Sequence, residues 1–204
     1  MSRENNIEEQ KREEEIVKNK IEKGEIEVER VFDEGVVDEL MEVQDKALPE
    51  GEDPLADRIS REEFVELIQD PKVVLSVLKK EGKIVGYGFA RPLEDAVQDI
   101  VKYDPEILGM DSSEKEGEGD IVYYGDTIAI FPELRKLGLG ATLLKNIFEE
   151  LRKIGVNKVT FHTRVARKRF DPLMEGSFKK ERILHEINNF LDSGIKIDYL
   201  EIEL

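Results

Sequence analysis

Cysteine is absent from this sequence, and tryptophan with it. Without cysteine there is no disulfide, no thiolate nucleophile and no cysteine-ligated metal. Histidine occurs only at His162 and His185, so a multi-histidine metal site is excluded and no metal is expected. No apolar run reaches the roughly 18 residues that a membrane-spanning helix needs. The opening stretch, MSRENNIEEQKREEE, lacks the apolar segment of a signal peptide. The expected compartment is therefore the cytoplasm, with no membrane association. Positive charge is also in short supply: the net charge is −16, which argues against nucleic acid as a partner.

What is present suffices for one packed domain. Hydrophobic residues make up 39% of the 204 and charged residues 38%, a core beneath a densely charged surface. The charge is unevenly placed. Between Glu94 and Asp120 ten acidic residues face two lysines, whereas between Glu133 and Arg182 thirteen basic residues outnumber six acidic ones. An anionic cofactor beside a cationic substrate would suit this division; ordinary solvated surface is the alternative.

Residues 1–24 are charged and sparsely apolar, a solvated helix or an arm, and residues 25–204 form the domain. Ile26 to Phe32 alternates as a half-buried first strand. Gly35 to Leu48 reads as an amphipathic helix, 49–54 as a loop, and Ser60-Arg61-Glu62-Glu63 as a capping box opening a second helix that Pro71 ends. Val73 to Leu78 and Ile84 to Ala90 flank Glu81-Gly82-Lys83 as a hairpin. Residues 93–120 form an acidic insertion, with a short helix over Leu93 to Val101 and a loop from Asp111 to Asp120. Ile121 to Phe131 is the fourth strand, where Gly125 marks a bulge or a close backbone approach. Lys158 to Arg164 is the fifth strand, Phe178 to Asp192 a helix, and Ile195 to Leu204 the last strand.

The chain is organised around Asp126 to Arg152. The apolar run Ile128-Ala129-Ile130-Phe131 ends at Pro132. A turn, Arg135-Lys136-Leu137-Gly138-Leu139-Gly140-Ala141, then opens a helix marked by Leu144, Ile147, Phe148, Leu151 and Ile154. A helix N-terminus with glycines for close approach and basic side chains beside it suits an anion, above all a phosphate. A basic connecting loop whose glycines serve only the turn is the alternative. No Gly-Lys-Ser/Thr follows, so this is not a P-loop, and Leu143 stands where the dinucleotide fingerprint needs a third glycine.

The run Ile128-Ala129-Ile130-x-Pro132, followed by Arg135-x-x-Gly138-x-Gly140-Ala141-x-Leu143-Leu144, resembles the acyl-CoA-binding motif of the GNAT superfamily of N-acetyltransferases. The order of predicted elements extends the likeness from about residue 26 to the C-terminus. The resemblance implies an α/β (α+β) fold: a mixed, mostly antiparallel sheet of about six to seven strands flanked by helices. It implies acetyl-CoA or another acyl-CoA as co-substrate and a small-molecule or peptide amine as acceptor. The backbone of Ile128, Ala129 and Ile130 would pair with the pantetheine. Leu137, Gly138, Leu139, Gly140 and Ala141 would hold the pyrophosphate, assisted by Arg135 and Lys136.

The catalytic candidates are Asp126, as a base acting directly or through water, and Tyr124 on the same face by period-2 alternation. For Asp126 the alternative is a strand-end hydrogen-bonding residue. His162 either faces the gap beside the fifth strand or is a partly buried hydrogen-bonded residue; His185 is expected on a surface helix face. Where relatives place the tyrosine that protonates the leaving thiolate, this chain has Phe170, which leaves Tyr124, Tyr123, Ser177 or water to do so. The basic run Arg164 to Arg169 would meet the cofactor's 3′-phosphate or be a solvated loop. Without cysteine a ping-pong route through a cysteine acyl-enzyme is excluded, and direct attack in a ternary complex is expected. A silent domain that binds acyl-CoA as a sensor or serves association is the other reading. Oligomeric state is open, a homodimer included.

Overall fold

Alternating and continuous apolar runs in this chain become seven strands, and the 3.6-residue periodicities become helices packed on them. The computed structural model describes residues 19–20, 23–48, 58–108, 120–135, 137–164, 174, 176–190 and 195–204. The strands are β1 (Ile26–Arg30), β2 (Val74–Lys80), β3 (Lys83–Pro92), β4 (Val122–Ile130), β5 (Lys158–Arg164), β6 (Lys180–Phe190) and β7 (Ile195–Glu203). The helices among the described residues are α1 (Val37–Ala47), α2 (Arg61–Gln69), α3 (Leu93–Ile100) and α4 (Leu139–Lys153). One sheet orders the strands β1-β2-β3-β4-β5-β7-β6. Every pairing is antiparallel except β4 with β5, as the mixed, mostly antiparallel expectation has it. No helix among the described residues is long and apolar enough to cross a membrane.

Local chemistry places the first half. Ser60 accepts from the Glu63 N–H at 3.2 Å and Glu63 accepts from the Ser60 N–H at 2.7 Å, the reciprocal capping box that starts α2. At the β2–β3 turn Glu81 and Gly82 both have positive φ, 53° and 77°, as a tight hairpin requires. Helices α1 and α2 bury Leu40, Val43, Phe64 and Ile68 against Leu75, Val77, Tyr87 and Phe89 on one sheet face. Helix α4 buries Leu143, Ile147, Phe148 and Leu151 in the larger core beside Val159, Phe161, Leu200 and Ile202. Ile154, expected to continue that inward stripe, is the residue ending the helix and is 41% exposed.

Two features of β4 position everything that follows. Thr127 pairs with Phe89 and Gly125 with Ala90, so Asp126 is an extra residue, a bulge beside the glycine that suggested one. And β4 pairs with β5 over only three residues, Val122, Tyr123 and Tyr124 against Lys158, Val159 and Thr160. Beyond Tyr124 and Thr160 the parallel strands separate.

One expected element is wrong. Residues 180–190 are not helical but form β6, paired along β7 with two register shifts. Ile183, Leu184 and Ile187 satisfy a helical stripe, but Ile183, His185 and Ile187 also alternate. Strand β7 needs a partner on the edge not covered by β5. The Asp192-Ser193-Gly194 run between the two segments is a hairpin signal. The terminal arm through residue 18, the loop 49–57, the acidic loop 109–119 and the basic run 165–169 lie outside the described residues.

Candidate active site

The strand that carries the site ends at Ile130. Pro132 opens a short 3-10 turn, Pro132–Leu134, and Gly138 takes the left-handed conformation with φ 73° immediately before α4. A side chain there would meet the steric cost that confines such angles largely to glycine. Among the described residues no side chain caps α4, and its first turn holds no acidic residue. The N–H groups of that turn therefore have no acceptor within the helix, and the dipole leaves them partly positive. Leu139 is buried with Ile26, Leu78, Val85 and Ile130, which fixes the backbone of the turn. A Cβ added at Gly140 would meet only the Ile130 Cδ1 atom, at an ordinary 3.7 Å. The protein's own packing does not require glycine there.

Arg135 is turned inward. Its guanidinium donates to the main-chain oxygens of Ile130 and Ala47, tying the turn to the end of α1. Lys136 lies outside the described residues. Along β4, Phe131 donates its N–H to Val85 across on β3. Alternation then turns the N–H groups of Ile130 and Ile128 the other way, into the split beside β5. Ala129 is 1% exposed and Ile128 41%.

The candidate catalytic residues sit at the apex of that split. Asp126 faces Arg91 on β3, whose Nε and terminal nitrogen lie 3.0 and 2.8 Å from the same carboxylate oxygen. Arg91 also reaches Asp99 at 2.9 Å, and Asp99 accepts from Lys102 at 2.7 Å. The other oxygen of Asp126 accepts from the Thr127 hydroxyl at 3.3 Å. Burial raises the pKa of Asp126 above the ordinary carboxylate value despite the opposing pull of Arg91. The result is a carboxylate held in place yet more basic than a solvated one.

Tyr124 lies on the same sheet face and is 4% exposed. Its hydroxyl is 2.9 Å from the Tyr103 hydroxyl and 3.0 Å from His162 Nδ1. Burial pushes its pKa well above that of a free phenol, so it stays protonated. His162 Nε2 in turn lies 2.9 Å from Asp104, and His185 Nε2 approaches the same carboxylate oxygen at 2.9 Å. Burial lowers the pKa of His162, against the pull of Asp104, and favours its neutral ring.

Several expectations change here. His185 is not on a surface helix: it belongs to β6, its side chain is 14% exposed, and it converges with His162 on one carboxylate. Of the alternatives for His162, the structure gives a buried hydrogen-bonded ring beside the split. Tyr123 donates its hydroxyl to the Lys72 carbonyl at 3.0 Å. Ser177 lies against the last turn of α4, its carbonyl accepting from Arg152. Phe170 lies outside the described residues. Arg91, Asp99, Tyr103 and Asp104 did not stand out in the sequence, yet they supply half of the polar network. Three of them belong to the stretch read as an acidic insertion.

Comparison with known proteins bears on the family and the fold. The sequence profile of the Acetyltransferase (GNAT) family matches residues 37–174. Among solved structures, the ribosomal-protein-S18-alanine N-acetyltransferase of Escherichia coli is similar at TM-score 0.58 and 15% identity, covering 87% of this chain and 93% of that one. The yncA protein of Salmonella typhimurium, solved with its cofactor acetyl-CoA, gives 0.62 and 12%, covering 88% and 94%. The ribosomal-protein-alanine N-acetyltransferase of Brucella melitensis gives 0.61 and 14%, covering 87% and 99%. At these identities the likeness is one of fold. No curated protein matches the sequence. The family profile covers well over half of the residues, and the protein belongs to the GNAT acetyltransferase family.

Proposed function

We propose that this protein transfers an acyl group, acetyl in the first instance, from acyl-CoA to a primary amine by direct attack in a ternary complex. The observation that carries this reading is the parting of β4 from β5 beyond Tyr124 and Thr160, in the strand that leads to the uncapped N-terminus of α4. The thioester arm would lie in the split along Ile128–Ile130, with the Ile130 N–H polarising the thioester carbonyl. The pyrophosphate would rest on the first turn of α4. Asp126 would take a proton from the attacking amine. The amine nitrogen bonds to the carbonyl carbon, the carbon–sulfur bond breaks, and Tyr124 is the nearest hydroxyl proposed to protonate the departing thiolate.

The acceptor would enter from the α3 side. A cavity of about 640 Å³ opens there, with Glu94, Asp120 and Glu201 in its wall against Lys72. It touches Thr160, the partner of Tyr124 across the sheet. Asp120 and Glu201 are paired with Lys158 and Arg182, so Glu94 is the carboxylate proposed to draw a cationic amine.

Calorimetric titration with acetyl-CoA, followed by thiol release with polyamines, aminoglycosides, amino acids and peptides, tests the reading. Binding with turnover is expected. Binding without turnover on any amine would leave a silent acyl-CoA-binding domain, and no binding would reject both. Gly140→Val probes the donor site separately. It should weaken acetyl-CoA binding at least about tenfold, near 1.4 kcal/mol, while the thermal midpoint changes little, because the added Cβ meets Ile130 only at ordinary contact distance. Undiminished affinity would remove the pyrophosphate from this turn.

A further inference from the structure

The assigned roles leave Asp104 and His185 unused, and with His162 they form an enclosed polar group. Three segments far apart in sequence converge there: the turn after α3, strand β5 and strand β6. The side chains of Asp104 and His162 are 1% and 2% exposed and that of His185 14%. One ligand atom from each of the three side chains lies within 4.8 Å of the others, and each Nε2 is 2.9 Å from the same carboxylate oxygen. Ligand bonds of about 2.0–2.2 Å put neighbouring ligand atoms roughly 3 Å apart or a little more. The cluster is therefore already near the dimensions of a coordination site.

We propose that Asp104, His162 and His185 bind one divalent transition-metal ion of the zinc class. Two imidazole nitrogens and one carboxylate oxygen select zinc, cobalt, nickel or iron(II) over magnesium and calcium, which prefer all-oxygen sites. The ion offsets a carboxylate whose ion pairs among the described residues are with the two imidazoles. The surroundings are those of a metal-bound histidine. The remaining nitrogen of His162, Nδ1, lies 3.0 Å from the Tyr124 hydroxyl, the outer partner that fixes ring orientation in such sites. Tyr199 stacks on the ring at 4.6 Å between centroids. With an ion on Nε2, the Nδ1 proton is donated to Tyr124, whose own proton is then directed to Tyr103 or towards the split. Metal occupancy would thus set the direction of the hydrogen-bond chain at the proposed catalytic tyrosine. A count of histidines does not reveal such a set, because a carboxylate completes it.

The test uses the full chain without an affinity tag, stripped with chelator and titrated with zinc chloride by calorimetry and with cobalt chloride by visible absorption. The expected result is one ion per chain, a micromolar or tighter zinc dissociation constant, and cobalt bands between about 500 and 650 nm of reduced-symmetry coordination. His185→Ala, whose ring is at the open side, should weaken zinc binding at least about a hundredfold while circular dichroism and acetyl-CoA affinity remain those of the parent. Asp104→Asn should do likewise. Absence of one-to-one binding at 100-micromolar-order zinc, or binding undiminished in His185→Ala, would overturn the proposal. Either result leaves the acyltransferase reading untouched, because that is judged by acetyl-CoA binding and thiol release.

Discussion

Replacing Asp126 by asparagine is expected to lower kcat by about 10²–10⁴-fold, the usual contribution of a positioned general base, with the acetyl-CoA dissociation constant unchanged. Asparagine keeps the shape and an acceptor for Arg91, so the fold should tolerate the change. Because burial raises the pKa of Asp126, the acid limb of the pH–rate profile should fall above the ordinary carboxylate range. Only the ionised form accepts a proton, so activity should drop as pH falls through that raised value. The limb should vanish in the variant. Full activity in Asp126→Asn would make the residue a partner of Arg91 and nothing more.

The second large effect concerns Arg91 itself. It sits between two carboxylates, and its side chain is 20% exposed, with Asp126 at 19% and Asp99 at 42%. Removing one member of a buried pair costs about 3–5 kcal/mol when the other charge is left without compensation. Partial exposure reduces that here, so Arg91→Ala is expected to destabilise by about 2–3 kcal/mol at neutral pH. The penalty should itself depend on pH. Without the guanidinium, nothing opposes the upward shift that burial imposes on Asp126. A carboxylate with its folded pKa above the unfolded value binds protons more readily when folded, so stability declines as pH rises from the unfolded towards the folded value. Urea unfolding of Arg91→Ala should therefore show a smaller loss at pH 5 than at pH 8, whereas an equal loss at both would mean that Asp126 regains solvation.

The donor half of the site was readable because its chemistry is local. A strand, a proline, left-handed Gly138 and an amphipathic helix occupy consecutive residues, and each has its own signature in spacing or residue type. The hairpin and the Ser60 capping box were readable for the same reason. The polar half was not, because it depends on residues distant in the chain. Asp99, Tyr103 and Asp104 have the composition of solvated surface; what engages them is Arg91 from β3, Tyr124 from β4 and the two histidines from β5 and β6. Apolar periodicity says where a core lies, and it carries nothing about which carboxylate meets which base. The helical periodicity of Phe178 to Asp192 hides it further. On a helix His185 faces water, whereas on β6 it pairs with Tyr199 across the ladder and reaches Asp104.

The bulge in β4 bears on chain length. Gly125 and Thr127 pair with adjacent residues of β3, Ala90 and Phe89, so the ladder is continuous without Asp126. A Cβ at Gly125 would point at Val159 and Phe161, on the α4 side. Thr127 shares the other face with Ala129, which packs among Tyr87 and Phe89. Joined directly, residues 125 and 127 would keep the alternation of a regular strand. Excision of the single residue Asp126 should thus yield a folded, acetyl-CoA-binding and inactive protein with the circular dichroism spectrum of the parent. Loss of that spectrum would show that the sheet needs the extra residue. On this reading the proposed base is carried by a residue that the sheet can lose without shifting its register.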